Sequence, residues 1–298
     1  MLRNIIKKTY YHTLNCSWIR ARLGHTLGIA MHIKWWIFHR HCILNYSRQN
    51  ELSQATHAIL NDLHTSGGAI IATLDVSSIA DKVRQAFDGI DPLQTSVAFR
   101  MPRDISRYKF AELVYKVLKE ISFVVEGYYK SYFKPYFINI ERNRPGSIAL
   151  DTSFGWHIDD NPKQIMKIFL YLNDVYEVNG AFRALNYRDT QDLLAQGFMS
   201  NDAQTRLTWQ PMVNDFVTHR TDALKVFEGA AGTVLMFDNN LIHKATAPKL
   251  GERLLIQIEV YPSAREFNLA DVEMAMGREL IVDFPKNPYA DDHVTIGG

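Results

Sequence analysis

The spacing of apolar residues changes character along the chain. From Asn50 to His64, Leu52, Ala55, Ile59, Leu60 and Leu63 recur near helical spacing, and Gly67-Gly68 ends the pattern. Ala69 to Leu74 is a short apolar run that predicts a strand. Ser77 or Ser78 can cap a helix reaching about Phe87, because a serine oxygen accepts a free first-turn N–H. Tyr108 to Glu126 carries one apolar stripe: Phe110, Leu113, Val114, Val117, Leu118, Ile121, Val124 and Val125. Lys109, Glu112, Lys116, Lys119 and Glu120 lie opposite, which predicts an amphipathic helix with its stripe against a sheet.

Beyond residue 131 the period becomes that of strands. Candidates are Tyr136–Glu141, Trp156–Asp159, Met166–Leu172, Ala181–Leu185, Leu224–Phe227, Thr233–Phe237, Ile242–Ala245 and Leu254–Tyr261. Turn chemistry separates them at Arg144-Pro145-Gly146, Asn161-Pro162, Asn179-Gly180, Glu228-Gly229, Asp238-Asn239-Asn240 and Pro248 to Gly251. Short strands punctuated in this way predict an α+β chain with a mainly β core, a sandwich or jelly roll buttressed by N-terminal helices. Thr190 to Thr221 is polar and mixed, and is expected to run as a long excursion over one end of the sandwich. The tail after Tyr261 is expected to be polar and peripheral.

Composition changes this picture at one end only. The net charge is +1, but residues 1–50 hold eight Lys or Arg and no Asp or Glu, so a basic segment precedes a mildly acidic body. Nothing in that balance calls for nucleic acid as a partner. Cys16 and Cys42 give no disulfide framework and no paired zinc pattern, which fits a reducing, cytoplasmic setting. Leu23 to Phe38 is the most apolar stretch of the segment. It spans 16 residues and includes His25, His32 and Lys34, short of the roughly 20 apolar residues a membrane span needs. Three readings remain open for residues 1–50: a membrane-interfacial anchor with Trp and Ile among headgroups, an organelle transit peptide, or a helical extension packed on the body.

The candidate chemistry lies in Gly155-Trp156-His157-Ile158-Asp159-Asp160. In a strand His157 and Asp159 share a face, with Trp156 and Asp160 off it. His243, in Leu241-Ile242-His243-Lys244, supplies a third candidate ligand. Two imidazoles and one carboxylate on one face of an octahedral ion form the facial triad of non-haem Fe(II) oxygenases, which leaves three positions for a bidentate cosubstrate and O2. Arg253, ten residues on, offers the planar fork that pairs with the far carboxylate of an oxoacid. Taken singly, each residue has a plainer reading: a satisfied core histidine, a turn, or a surface ion pair worth about 0–1 kcal/mol.

Together these stretches resemble the phytanoyl-CoA hydroxylase-like branch of the Fe(II)/2-oxoglutarate oxygenases. The resemblance is carried by Gly155 to Asp159, Lys167 to Val175, Asn179 to Arg183, and Gly232 through Arg253, and it covers roughly residues 135–262. It implies a double-stranded β-helix with His157, Asp159 and His243 on Fe(II) and Arg253 on 2-oxoglutarate. The cosubstrate would be decarboxylated to succinate as O2 is used to hydroxylate a C–H bond, and ascorbate is a candidate auxiliary. The substrate would be a small molecule or a lipid-linked one. The implied division is a segment 1–50 and an oxygenase domain 51–298, with helices to 131, the jelly roll from 132 to 262 and a tail from 263. Where relatives often have Pro-Gly-Ser-His, this chain has Asn186-Tyr187-Arg188-Asp189, and Ala245-Thr246 replaces a common serine. The further cosubstrate contact is therefore open among Lys167, Tyr171, Asn139 and Thr246. Two other functions compete: a non-catalytic, membrane-associated jelly-roll scaffold, and a cupin-type metal-dependent isomerase or lyase, which has no need of a buried Arg253.

Overall fold

The computed structural model describes residues 29–48, 52–91, 97–146, 149–150, 152–159, 161–198, 200 and 203–278. The expectations on residues 1–28, on Asp160 and on residues 279–298 lie outside these. Eight α-helices and nine strands are formed among the described residues: α1 (Ile29–Leu44), α2 (Gln54–Ser66), β1 (Gly68–Thr73), α3 (Ser77–Ile90), β2 (Ala98–Arg100), α4 (Arg103–Glu120), α5 (Ser122–Tyr129), β3 (Tyr132–Asn143), β4 (Met166–Tyr171), β5 (Phe182–Leu185), α6 (Tyr187–Ala195), α7 (Ala203–His219), β6 (Leu224–Phe227), β7 (Thr233–Asp238), β8 (His243–Lys244), β9 (Arg253–Ser263) and α8 (Leu269–Gly277).

The strands form two antiparallel sheets, one in the order β1-β7-β4-β9-β3-β2 and a smaller one in the order β6-β5-β8. This is the jelly-roll core that strand spacing and turn chemistry predict. Alternation along β4 assigns its two faces. Met166, Ile168 and Leu170 join the core against the helices, beside Phe110, Val114, Leu118 and Val125. Tyr171 packs between the sheets with Phe182, Phe227, Leu235 and Phe237, and Phe169 lies against them. The polar Lys167 occupies the same inner face at the end of the strand, opposite Glu259 of β9. One sheet face is therefore a dry seat for helices, and the other carries the chemistry.

Several boundaries differ from expectation, each for a local reason. The stripe from Phe110 to Val125 is buried as predicted, but on two helices that break at Ile121. Neither Ser77 nor Ser78 caps α3: Asp75 accepts both the amide and the hydroxyl of Ser77, and Val76 takes the cap position. Trp156–Asp159 is not a ladder strand. His157 forms an isolated bridge with His243, and Asp159 N–H donates to Asn239 O. The segment is confined between Gly155 and Asn161-Pro162, where proline offers no donor. The excursion after Asn186 is α6 and α7. Asn186 caps the first by accepting from Asp189 N–H, and Pro211 sits within the second. Leu193, Leu194 and Val213 from this insert pack on Trp156, Ile158 and Ile242.

The tail is not peripheral. Val272, Ala275 and Met276 of α8 are buried in the main core. Asn268 and Asp271 cap α8 reciprocally, and Arg265 adds a bidentate pair to Asp271 at 2.7 and 2.8 Å. Burial alone would raise the Asp271 carboxyl, but Arg265 and the Asn268 amide outweigh it and hold it below its ordinary value. A depressed folded-state value contributes stability above the unfolded pKa of about 3.9, and that contribution is lost as pH falls through the folded value. Asp271→Asn should therefore lower stability at pH 7 by about 1 kcal/mol. In urea titrations, the gap between variant and wild type should close below about pH 4.

Candidate metal centre

Gly155 begins the site. A Cβ there would stand 1.9 Å from the Leu150 carbonyl oxygen, so only glycine lets the chain pass and turn His157 inward. The bridge to β8 then sets the two histidines side by side, with ring centroids 4.3 Å apart. Each ring is fixed through Nδ1, His157 at 2.9 Å from Gly155 O and His243 at 2.8 Å from Leu241 O. A carbonyl oxygen only accepts, so Nδ1 carries the proton and Nε2 keeps its lone pair. This is the arrangement that metal-binding imidazoles use.

Both lone pairs point toward Asp159. His157 Nε2 lies 3.4 Å from Oδ1, and His243 Nε2 lies 3.6 Å from Oδ2. Donors bound to one ion at about 2.1 Å stand roughly 3.0–3.4 Å apart, for octahedral or tetrahedral angles. One donor atom from each of His157, Asp159 and His243 falls within 4.8 Å of the others, and among the described residues no other group of three does so. Burial, aided by neighbouring His157, pushes His243 down to about 3, so the ring stays neutral. Burial would raise the Asp159 carboxyl, yet the Lys167 ammonium outweighs it and holds it well below the usual range. Two imidazole Nε2 atoms and one anionic carboxylate fit a divalent cation.

Lys167 is part of this cluster. Its ammonium donates to Asp159 Oδ2 at 2.5 Å and lies 3.4 Å from Glu259, and these two carboxylates keep it charged against the cost of burial. Glu259 is fully buried, accepts from Tyr136 and from Gln257 at 3.1 Å, and is raised by burial. Sequence reasoning missed Glu259 and Tyr136. The signal was present, since Gln257 and Glu259 interrupt Leu254–Tyr261 at alternate positions, which marks one polar face on a buried strand.

Arg253 starts β9 and forms a second cluster. It donates to Gly180 O and, at 2.5 Å, to Asn143 Oδ1. Gly180 holds φ +92°, and a Cβ there would meet Thr246 O at 2.4 Å. The Arg253 Nε and the buried Thr246 hydroxyl have no hydrogen-bond partner. Burial lowers the guanidinium pKa against opposing contributions from Tyr171 and Glu141, and its hydrogen bonds go to a carbonyl and an amide oxygen, not to a carboxylate. Tyr171 is near enough for the two to influence each other electrostatically, though its hydroxyl donates to Phe227 O. Asn139 belongs to neither cluster. It donates to Glu141 at 2.6 Å and lines a separate cavity. Trp156 is buried, donates to Asn214, and carries the Lys244 ammonium 4.5 Å above its ring.

No protein-family model and no curated protein matches the chain. Similar chain traces occur among solved structures. HygX from Streptomyces hygroscopicus, with nickel and 2-oxoglutarate bound, is 15% identical, with 71% of this chain and 87% of that one covered and a TM-score of 0.48. AviO1 from Streptomyces viridochromogenes Tue57 is 14% identical over 72% of this chain and 96% of that one, with a TM-score of 0.45. EctD from S. alaskensis in its apoform is 13% identical over 74% and 81%, with a TM-score of 0.46. At such identities the likeness is one of chain trace, and the case for chemistry comes from this chain's own side chains.

Proposed function

We propose that the chain is an Fe(II)- and 2-oxoglutarate-dependent oxygenase that hydroxylates a C–H bond of a small-molecule or lipid-linked substrate. The observation that carries this reading is the pair of histidines, each locked through Nδ1 with its Nε2 lone pair on the Asp159 carboxylate. His157, Asp159 and His243 would hold the ion. When bound, an Fe(II) centre with 2-oxoglutarate supplies oxidative chemistry, with succinate and CO2 as coproducts. The chain's own task is to bind, orient and exclude water. Arg253 is suited to the far carboxylate, because a buried guanidinium without an anion gains most from one. Thr246, whose backbone closely approaches Gly180, offers a buried, unpartnered hydroxyl. Lys167 keeps Asp159 anionic and in place, and Phe169, Phe182 and Phe237 pack as an apolar group beside His243. The test is succinate formation by purified protein given Fe(II), O2 and 2-oxoglutarate. Release above a metal-free control supports the reading. Neither turnover nor retained metal would favour the scaffold, and metal without 2-oxoglutarate binding would favour the isomerase or lyase.

A second observation favours attachment to a membrane surface. Helix α1 is apolar on two opposite faces. Trp35, Phe38 and Cys42 pack into the body against Tyr136, Phe137, Ile165 and Tyr261. Ile33, Trp36, Ile37 and Leu44 share the other face and are exposed, with Arg40 among them. Apolar side chains with nearby cations suit an anionic headgroup layer. Among the described residues no helix is long and apolar enough to cross a membrane. Because α1 is built into the core, point variants test this better than truncation. Trp36→Ser with Ile37→Ser should weaken co-sedimentation with phosphatidylserine vesicles roughly 10-fold or more, while equal partitioning would reject attachment through this face.

A further inference from the structure

Beyond the two clusters, a cavity of about 510 Å³ lies at the β2 edge of the larger sheet. Its wall combines β2, the first turn of α4, Phe137 to Asn139 of β3, and the end of α8. Arg100, Arg103 and Arg278 all contribute, against one acidic residue, Asp104. Arg100 is held by Glu141 at 3.0 Å, and Arg278 donates to Tyr136 O at 3.4 Å. The start of α4 also faces this space. Its cap is Pro102, which provides no side-chain hydrogen bond, so the first amides of the helix lack a capping acceptor. Ser106, one turn in, is 3% exposed, and its hydroxyl has no hydrogen-bond partner. A buried hydroxyl left alone is unfavourable. Among arginines and helix amides, the partner it lacks is an acceptor, not a donor.

The cavity also has a defined relation to the metal-type cluster. Residues directly opposite in an antiparallel pair project from the same face. Phe137 is opposite Glu259, and Glu259 is opposite Lys167, which binds Asp159. The cavity wall at Phe137 is therefore two strands, about 10 Å, from Lys167 along one continuous sheet face. The cavity and the metal-type cluster thus share one face of the larger sheet.

We propose that this cavity is the subsite for a phosphoryl or pyrophosphoryl group of the substrate, held by Arg103, Arg278, the α4 amides and Ser106. The Arg103 and Arg278 guanidiniums and a volume well above that of one carboxylate match an oxyanion with more than one negative charge. The inference rests on the oxygenase reading for what lies at the far end of the substrate, but anion binding itself does not need the metal.

The test is calorimetric titration of the full chain with inorganic pyrophosphate at constant ionic strength. Wild type should bind saturably with one site. Arg103→Gln should weaken binding at least 10-fold, and Ser106→Ala between about 2- and 10-fold. Lys109→Gln, elsewhere on α4, should leave it unchanged. Fe(II) stoichiometry should be the same in Arg103→Gln as in wild type, so a failed triad and a failed anion site give separate results. Geranyl diphosphate distinguishes the source of the group. Tighter binding than pyrophosphate supports the site with a lipid-borne phosphate, and equal binding supports it with a water-soluble one. Absence of saturable pyrophosphate binding, or equal loss in Lys109→Gln and Arg103→Gln, would overturn the proposal.

Discussion

Replacing His243 with alanine is expected to abolish stoichiometric metal binding while leaving the fold in place. Its ring supplies one of three converging donor atoms, and its backbone, which the substitution retains, makes the reciprocal bridge to His157 at 2.9 Å in both directions. Losing a hydrogen-bond partner of a ligand typically costs 10- to 100-fold in affinity, so losing the ligand itself should exceed about 100-fold. Fe(II) or Mn(II) titration with elemental analysis after desalting measures this. His219→Ala, which removes an exposed histidine of α7, should match wild type. A His243→Ala protein that keeps one metal per chain would require a different ligand set.

Arg253→Met is expected to separate binding from stability. The buried guanidinium has a carbonyl and an amide oxygen as partners, but no carboxylate among the described residues and no partner at Nε. Charge-assisted hydrogen bonds are worth about 1.5–3 kcal/mol, so removing the fork should weaken 2-oxoglutarate roughly 100-fold. Without cosubstrate the same change removes a buried charge that lacks an ion-pair partner, a gain set against two buried acceptors, Gly180 O and Asn143 Oδ1, that lose their donor. The variant's melting temperature should therefore stay close to that of wild type without 2-oxoglutarate, and fall clearly below it at saturation, where wild type gains from ligand binding. Arg253→Lys, which keeps the charge and loses the fork, should lie between. A strong fall in stability without cosubstrate would instead make Arg253 a structural residue.

The legible parts of this chain were those where one physical signal dominates. The apolar stripe of Phe110 to Val125 and the alternation of Met166 to Tyr171 reported buried faces directly, because burial sets their period. His157, Asp159, His243 and Arg253 were legible by residue type and spacing. Their mutual geometry was not, since the supposed strand at Trp156–Asp159 is a single bridge shaped by the Gly155–Leu150 approach and the Asn239 carbonyl. The insert helices were hidden because α7 holds Pro211 and mixed polarity, and its buried positions answer to Trp156 and Ile158 far away in sequence. Helix α8 was hidden because its nine residues give a short pattern, and its cap depends on Arg265 joining Asn268 and Asp271. Glu259 was visible as a polar interruption, but its partner Lys167 comes from another strand.

The most direct measurement is the position of the metal itself. Crystals of the full chain grown anaerobically with Fe(II) and 2-oxoglutarate, recorded at the iron absorption edge, locate it by anomalous scattering. One peak is expected at about 2.0–2.2 Å from His157 Nε2, His243 Nε2 and an Asp159 oxygen, with 2-oxoglutarate reaching from that peak to Arg253. A peak elsewhere, or none with Lys167 still seated on Asp159 at saturating Fe(II), would contradict the triad.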